Sequence, residues 1–174
     1  INQNTNDGDL IFQCDDGSGG TTPYLSLDGG AAAMVAFKSI YMADSKRFYA
    51  GGGGDLGIYH NGTNSYIDNI TGDLIIQQQT DDGDIIFKSD NGTGGTSEYF
   101  RLDGGVTRTI FSAPITVGQD DTGYDVVFYG ATSGRYMVWD ESDDRLEFTD
   151  NAKIGIGSAN DLQLYHDGSD SYIR

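Results

Sequence analysis

Two histidines, His60 and His166, are the residues of this chain best placed for metal or anion chemistry. Each stands directly before a turn sequence, in YHNG and YHDG. If strand alternation holds, each imidazole shares a face with the apolar residues two and four positions earlier. At a three-fold axis, three such imidazoles could bind a metal ion or an anion. The alternative is a turn histidine bonded to local backbone, and the sequence itself predicts no cofactor.

No recognisable catalytic constellation accompanies the histidines. The sequence contains no HExxH motif and no Ser-His-Asp arrangement in evident register. A carboxylate pair for glycoside hydrolysis cannot be recognised by spacing, because aspartates occur throughout the chain. We therefore expect that the chain is not an enzyme, with a polysaccharide-degrading enzyme as the minor alternative.

Aromatic residues offer a second kind of site. Trp139 is the only tryptophan, and it lies in a part of the chain that is not repeated. Together with Tyr129 and Tyr136 it could stack on the sugars of a cell-surface glycan. Cross-strand packing is the competing role, since tyrosine commonly packs that way in sheets. These three residues are the candidate ligand-binding residues.

The charge of the chain excludes several classes of partner. There are 27 acidic and 10 basic residues, which give a net charge of −17. Such a chain is unsuited to nucleic acid, since phosphate contacts need lysine and arginine, and to anionic membrane surfaces. No apolar run approaches the ~20 residues of a membrane span. The aspartate clusters lack the ligand spacing of an EF-hand, so solubility explains the charge better than calcium binding does.

Internal repeats dominate the sequence. Residues 7–30 match residues 82–105 at 15 of 24 positions, and residues 55–67 match residues 161–173 at 8 of 13. Repeats at this scale are typical of solenoids, propellers and fibres. Both chain ends fall inside a repeat, so we expect the parent protein to continue in both directions. The predicted modules are 1–54 (A1 with connecting strands), 55–81 (hairpin B1), 82–118 (A2), 119–151 (an inserted three-strand module) and 152–174 (hairpin B2, truncated).

The local pattern is that of short β-strands. Valine, isoleucine, phenylalanine, tyrosine and threonine alternate with polar residues, and Gly, Asp and Asn separate the runs. Hairpins are predicted at Asn61-Gly62 and Asp167-Gly168. In the insert, strands are predicted at 124–129, 135–139 and 145–148. The expected fold class is all-β.

Comparison of the repeats also predicts which strand face is buried. Ser26 in the first copy is Arg101 in the second. This substitution predicts that the position faces water. Its neighbours Leu25 and Leu27 then point inward, because a strand alternates faces.

Each repeat has too few apolar residues to cover a core by itself. Repeats overcome this by stacking on neighbours, and a fibre can also share one axial core among chains, which protects the strand edges. We therefore expect an elongated, repetitive homotrimer. The sequence leaves open whether it is an intertwined triple β-helix or a stack of β-prisms.

The repeats resemble those in long virion structural proteins of tailed bacteriophages, of the marine-phage type. The resemblance covers nearly the whole chain and is carried by GDLIIQ, DGDIIFKSDNGTGGTSEYFRLDGG, DDTGYDVVFYGATSGRYMVWDESDDRLEFTD and DLQLYHDGSDSYI. It implies a trimeric, β-rich tail fibre whose receptor-binding tip lies outside this segment. It brings no catalytic residue.

From this resemblance we expect a structural shaft segment located in the virion, and extracellular after release. The expected partners are further copies of the chain, neighbouring fibre segments or other virion tail proteins, and a host surface glycan. The alternatives are a carbohydrate- or receptor-binding segment of the fibre, and a bacterial extracellular adhesin fibre.

Overall fold

The protein is an all-β protein, as the sequence predicts. A computed structural model describes all 174 residues and contains fifteen short strands and no helix. No helix long and apolar enough to cross a membrane is present. The strands are β1 Leu10–Asp15, β2 Thr21–Asp28, β3 Ala33–Ala36, β4 Arg47–Ala50, β5 Leu56–His60, β6 Ser65–Asn69, β7 Ile85–Asp90, β8 Thr96–Asp103, β9 Arg108–Phe111, β10 Val126–Tyr129, β11 Tyr136–Asp140, β12 Arg145–Phe148, β13 Ile154–Ile156, β14 Leu162–His166 and β15 Ser171–Ile173.

The strands form five separate three-stranded antiparallel sheets. Sheet I contains β1–β3, sheet II β4–β6, sheet III β7–β9, sheet IV β10–β12 and sheet V β13–β15. In each sheet the strands pair in sequence order, so every sheet is a meander closed by local turns. Sheets I and II belong to a compact unit spanning Ile1–Ile76, and sheets III to V belong to a second unit spanning Gln77–Arg174.

The observed strands agree closely with the predicted ones, but each of the two predicted hairpins is joined by a third strand. The three strands predicted in the insert are present as β10, β11 and β12. The hairpin predicted from residue 55 has a third strand, β4, which precedes it and pairs with β5. Strand β13 plays the same part in sheet V. The extra strand arises because a glycine-rich turn before β5 reverses the chain, with Gly51 and Gly54 at positive φ.

Asp and Asn side chains close the turns between the first two strands of sheets I and III. Oδ1 of Asp16 accepts hydrogen bonds from the backbone N–H of Ser18 (2.8 Å) and of Gly20 (3.1 Å). Hydrogen bonds from the Ser18 hydroxyl and backbone lower the pKa of Asp16. Asn91 accepts the same pair of backbone bonds in sheet III, at 2.9 and 3.2 Å. The two residues are interchangeable here because the turn needs only an acceptor oxygen.

A β-bulge occurs at the same place in sheets I and III. The register shifts between Phe12 and Gln13, and between Phe87 and Lys88. The extra residues are Tyr24 and Tyr99, whose hydroxyls donate to main-chain carbonyls at 3.1 and 2.9 Å. Because a bulge inserts one residue, it changes which side chains share a face beyond it.

Thr107 provides a first testable prediction. This β-branched residue has φ 50° in the turn between β8 and β9, and Ala32 has the same φ in sheet I. A left-handed conformation costs an L-residue about 1–2 kcal/mol, whereas glycine adopts it freely but loses about 0.5–1 kcal/mol of backbone entropy. We expect Thr107→Gly to raise the free energy of unfolding by roughly 0.5–1 kcal/mol. Chemical denaturation at fixed protein concentration measures this, and Val106→Gly, at an ordinary φ, should give no gain.

Candidate functional site

Every sheet presents one strongly apolar face. In sheet III the register places Phe87, Phe100 and Phe111 in one cross-strand row, with Ile85 and Leu102 in the next row. The rings of Phe87 and Phe100 stack with centroids 4.3 Å apart, and those of Phe100 and Phe111 lie 5.9 Å apart. Directly opposed residues point to the same face of a sheet, so these side chains form one surface.

This apolar face is uncovered in the single chain. Val138 is the only buried apolar residue of the protein. Fifteen large side chains of the apolar faces, three in each sheet, are at least 39% exposed. They are Phe12, Leu27 and Met34 in sheet I, Phe48, Ile58 and Ile67 in sheet II, Phe87, Leu102 and Phe111 in sheet III, Phe128, Trp139 and Leu146 in sheet IV, and Ile154, Ile156 and Ile173 in sheet V.

The opposite face of the sheets, here called the polar face, carries charged and tyrosine side chains together with aliphatic ones such as Ile11 and Ile86, each 47% exposed. In sheet II the Arg47 guanidinium lies 3.8 Å from the Tyr59 ring centroid and forms an ion pair with Asp68 at 2.7 Å. The hydrogen bond that Arg47 donates to Asp68 raises the pKa of the arginine. Tyr59 in turn stacks on Tyr66 with centroids 4.9 Å apart. This arrangement lets the polar face meet water without an unpaired charge.

The prediction that position 26 faces water is wrong. Ser26 is only 3% exposed, and it lies in the central strand between Ile11 and Val35. Leu25 and Leu27 do lie on the face opposite Ser26, as alternation predicts, and Leu27 is 44% exposed in the single chain. The exchange of Ser26 for Arg101 predicts exposure to water. Arg101 is instead accommodated by ion pairs with neighbouring carboxylates.

Those carboxylates form a cluster on the polar face of sheet III. Arg101 contacts Glu98 at 2.9 Å, Asp103 at 3.0 Å and Asp84 at 3.3 Å. The hydrogen bonds from Arg101 lower the pKa of Glu98 and of Asp103, while the same bonds raise the pKa of the arginine. In sheet I, Pro23 occupies the position of Glu98, so a serine suffices there.

Arg101→Ser is therefore expected to destabilise the protein in a pH-dependent way. Without the cation, three carboxylates converge unpaired. Since the pKa values of Glu98 and Asp103 are lowered in the folded protein, their contribution is complete above their unfolded values of 4.5 and 3.8 and is lost as the pH falls through the folded values. We expect a melting temperature several degrees below that of the unsubstituted chain at pH 7.

The control for this prediction is Arg135→Ser, which removes an arginine that has no ion pair and does not influence the pKa of Glu98 or Asp103. Melting curves at pH 7 and pH 3 should show a deficit for Arg101→Ser that shrinks at pH 3, and no such change for the control. An equal deficit for Arg101→Ser at both pH values would contradict the assignment.

The two candidate histidines lie on the apolar faces of sheets II and V. The register aligns His60 with Ser65 and His166 with Ser171. Each Nδ1 is 3.2 Å from the serine hydroxyl, so a side chain and not the backbone is the ring's partner. No group of three or more His, Cys, Asp or Glu side chains within the chain could hold a metal ion.

The three aromatic candidates do not form one site. Tyr129 and Tyr136 oppose each other in sheet IV, with ring centroids 5.7 Å apart. Trp139 opposes Val126 and Leu146 on the other face of the same sheet. Trp139 thus belongs to the apolar face, and the two tyrosines belong to the polar face. Because side chains alternate between faces along β11, positions 136 and 139 lie on opposite faces although they are close in sequence.

Comparison of the chain with protein-family models, with curated proteins and with solved structures found no match. The functional argument therefore rests on the five apolar faces, the polar clusters behind them and the repeats of the sequence.

Proposed function

We propose that the chain is a shaft segment of a bacteriophage tail fibre, in which three copies bury their apolar faces against one another around a common axis. The single observation that carries this proposal is the repetition of one uncovered apolar face in all five sheets. The phage assignment rests on the resemblance of the repeat strings. In this function the chain holds a host-receptor-binding tip away from the virion and catalyses no reaction.

The amount of uncovered apolar surface supports association. Fifteen large side chains near half exposure leave on the order of 1,000 Å² of apolar surface per chain. Summed over the five sheets, this surface is comparable to the ~800 Å² that a stable interface buries per partner. Further copies of the chain are suitable partners, because each copy brings the same apolar faces in the same order.

The dimensions of the sheets favour three copies. Strands lie about 4.8 Å apart, so a three-stranded sheet is roughly 14 Å wide. Three walls of that width enclose a triangular prism whose walls stand about 4 Å from the axis. This is close to half of the ~10 Å separation at which sheets pack face to face. Two copies would instead leave both sides of a sandwich open.

The local three-stranded meanders fit a β-prism, in which each chain supplies whole walls of the prism. In this arrangement His60 and His166 lie toward the axis at the turn ends of sheets II and V.

Light scattering combined with small-angle X-ray scattering tests the proposal. We expect an elongated particle of about 56 kDa, three times the 18.7 kDa of one chain. The polar faces, with a net charge of −17 per chain, should keep such particles from associating further. A compact monomer of 18.7 kDa would overturn the proposal.

A further inference from the structure

The polar face of sheet V carries two cations that have no acidic partner. Lys153 Nζ lies 4.4 Å from the centroid of the Tyr165 ring, and the guanidinium of Arg174 lies 4.9 Å from that of Tyr172. No Asp or Glu carboxylate lies within 4.0 Å of either cation. Both side chains are exposed. In a chain with 27 acidic and 10 basic residues, two cations on one sheet face without a carboxylate at that distance are unusual.

Sheet II is the other copy of this repeat, and it differs from sheet V at the positions of the two cations. The offset of 106 residues that relates the two sheets places Lys153 at the position of Arg47 and Arg174 at the position of Asp68. In sheet II these positions form the 2.7 Å ion pair between Arg47 and Asp68. In sheet V the acid has become a second base. The first copy thus pairs its cation with an acid on the polar face. In the second copy the charge at that position is reversed, and the added acids Asp167 and Asp170, in place of Asn61 and Asn64, lie in the hairpin turn.

The cross-strand row next to the cations also has more open space in sheet V than in sheet II. Tyr49 of sheet II, whose ring lies over Gly57, corresponds to Gly155 of sheet V, and Gly57 corresponds to Gln163. A bulky ring is therefore absent from sheet V and a planar amide is present. Oε1 of Gln163 accepts a hydrogen bond from Lys153 at 3.1 Å, which leaves the amide N–H groups free to donate.

The tyrosine framework is the same in both copies. Tyr165 and Tyr172 stack with centroids 4.8 Å apart and an interplanar angle of 19°. Tyr59 and Tyr66 do so at 4.9 Å and 15°. The two copies therefore share a scaffold and differ in the charge and space next to it.

We propose that Lys153, Gln163 and Arg174 form a binding site for an acidic saccharide, with the two cations on the carboxylate of a uronate-type sugar. Charge-assisted hydrogen bonds from lysine and arginine are the strong contacts of a carboxylate. The free amide of Gln163 donates to the ring hydroxyls of the sugar. Aromatic edges with a few polar groups are typical of small-ligand sites. The chain then adds adhesion to its structural role.

The position of the site favours a saccharide over a carboxylate of another copy. It lies on the polar face of sheet V, opposite the apolar face that copies of the chain cover in the proposed fibre. This one step rests on the proposed function, whereas the charge reversal and the opened row do not.

Isothermal titration calorimetry with oligogalacturonate at low ionic strength tests the site, with a neutral glucose oligomer of equal length as control ligand. We expect one acidic oligomer bound per chain and no binding of the neutral oligomer. Arg174→Asp restores the residue of the first copy and should weaken binding at least about tenfold, since one charge-assisted contact is lost and a repulsion is added. Lys153→Gln and Arg174→Gln should weaken binding to a smaller extent, and added salt should weaken it in the unsubstituted chain.

The combined substitution Tyr49→Gly, Gly57→Gln and Asp68→Arg transfers the site to sheet II. It places the double cation, the planar amide and the open row on the first copy, so binding should rise from one to two oligomers per chain. The proposal is overturned if the unsubstituted chain binds the acidic and neutral oligomers alike, if Arg174→Asp binds as tightly as the unsubstituted chain, or if the combined variant gains no site.

A fall in particle mass on Arg174→Asp would also overturn the saccharide site, because it would show that another copy supplies the carboxylate. Failure of the shaft proposal is a separate result. It would be seen as a monomeric mass of the unsubstituted chain, whatever that chain binds.

Discussion

Leu102→Lys is expected to dissociate the proposed trimer into monomers. Leu102 is 45% exposed on the apolar face of sheet III, beside the row of three phenylalanines. In the proposed β-prism, three copies of this leucine meet near the axis. Because each is already about half buried in the single chain, losing the rest of its burial removes about 1 kcal/mol each, or roughly 3 kcal/mol per trimer. That lowers the association constant by a factor on the order of 10², and the cost of desolvating three ammonium groups lowers it much further.

Ile86→Lys is the matched control. Ile86 is 47% exposed on the adjacent strand and points to the opposite face. The two substitutions introduce the same charge at nearly the same exposure and differ only in the face they occupy. Light scattering should find monomers for Leu102→Lys and trimers for Ile86→Lys. Trimers in both variants would show that the apolar face is not the interface, and monomers in both would show that the trimer depends on more than this face.

The strands were predictable from the sequence because their signals are local. Alternation of apolar and polar residues, with Asn-Gly and Asp-Gly between runs, marks each hairpin within about ten residues. The third strand of sheets II and V was harder to predict, since β4 and β13 are only four and three residues long and follow no Asx-Gly turn. Their pairing depends on reversals at residues of positive φ, Gly51 and Gly54 in sheet II and Gly157 and Asn160 in sheet V, whose geometry the composition does not specify.

The exposure of individual positions could not be predicted with the same success. Position 26 tolerates an arginine in the other copy only because Glu98 replaces Pro23 two strand positions away. That compensation is visible only once the strand register is known. The aromatic candidates show the same difficulty, since Trp139 and Tyr136 are three residues apart and lie on opposite faces of one strand.

Trp139 bears on both functional interpretations, glycan binding and packing between copies of the chain. A glycan and a second copy of the chain would compete for this side chain, which stands on the apolar face with Leu146 and Val126. In the proposed fibre, packing between copies accounts for its exposure without a ligand, since four other sheets present an equivalent face without tryptophan. The two cations of sheet V lie on the opposite face, away from that packing, and for that reason the saccharide site is placed there.

Gly104→Ala is expected to lower the free energy of unfolding by about 2–4 kcal/mol. A Cβ at this position would collide with the carbonyl oxygen of Gly83 and lie 3.2 Å from its carbonyl carbon. The two backbone segments cannot separate easily, because the N–H of Gly104 donates to Asp84 Oδ1 at 3.0 Å. The same approach occurs in sheet I, where a Cβ at Gly29 would lie 2.5 Å from the carbonyl oxygen of Gly8. The DGD and DGG strings of the repeat are thus paired by a close backbone contact.

Gly105→Ala, at the next residue, separates this contact from the general effect of losing a glycine. A Cβ at Gly105 would meet only side-chain atoms at 3.6 Å or more, and its φ is not positive. This substitution should change the free energy of unfolding by less than about 0.5 kcal/mol, or raise it slightly by restricting the unfolded chain. Denaturation curves of both variants at one protein concentration decide the matter. Equal effects of the two substitutions would mean that the segments at Gly83 and Gly104 do not approach as closely as the structure shows, and that the DGG string serves the turn alone.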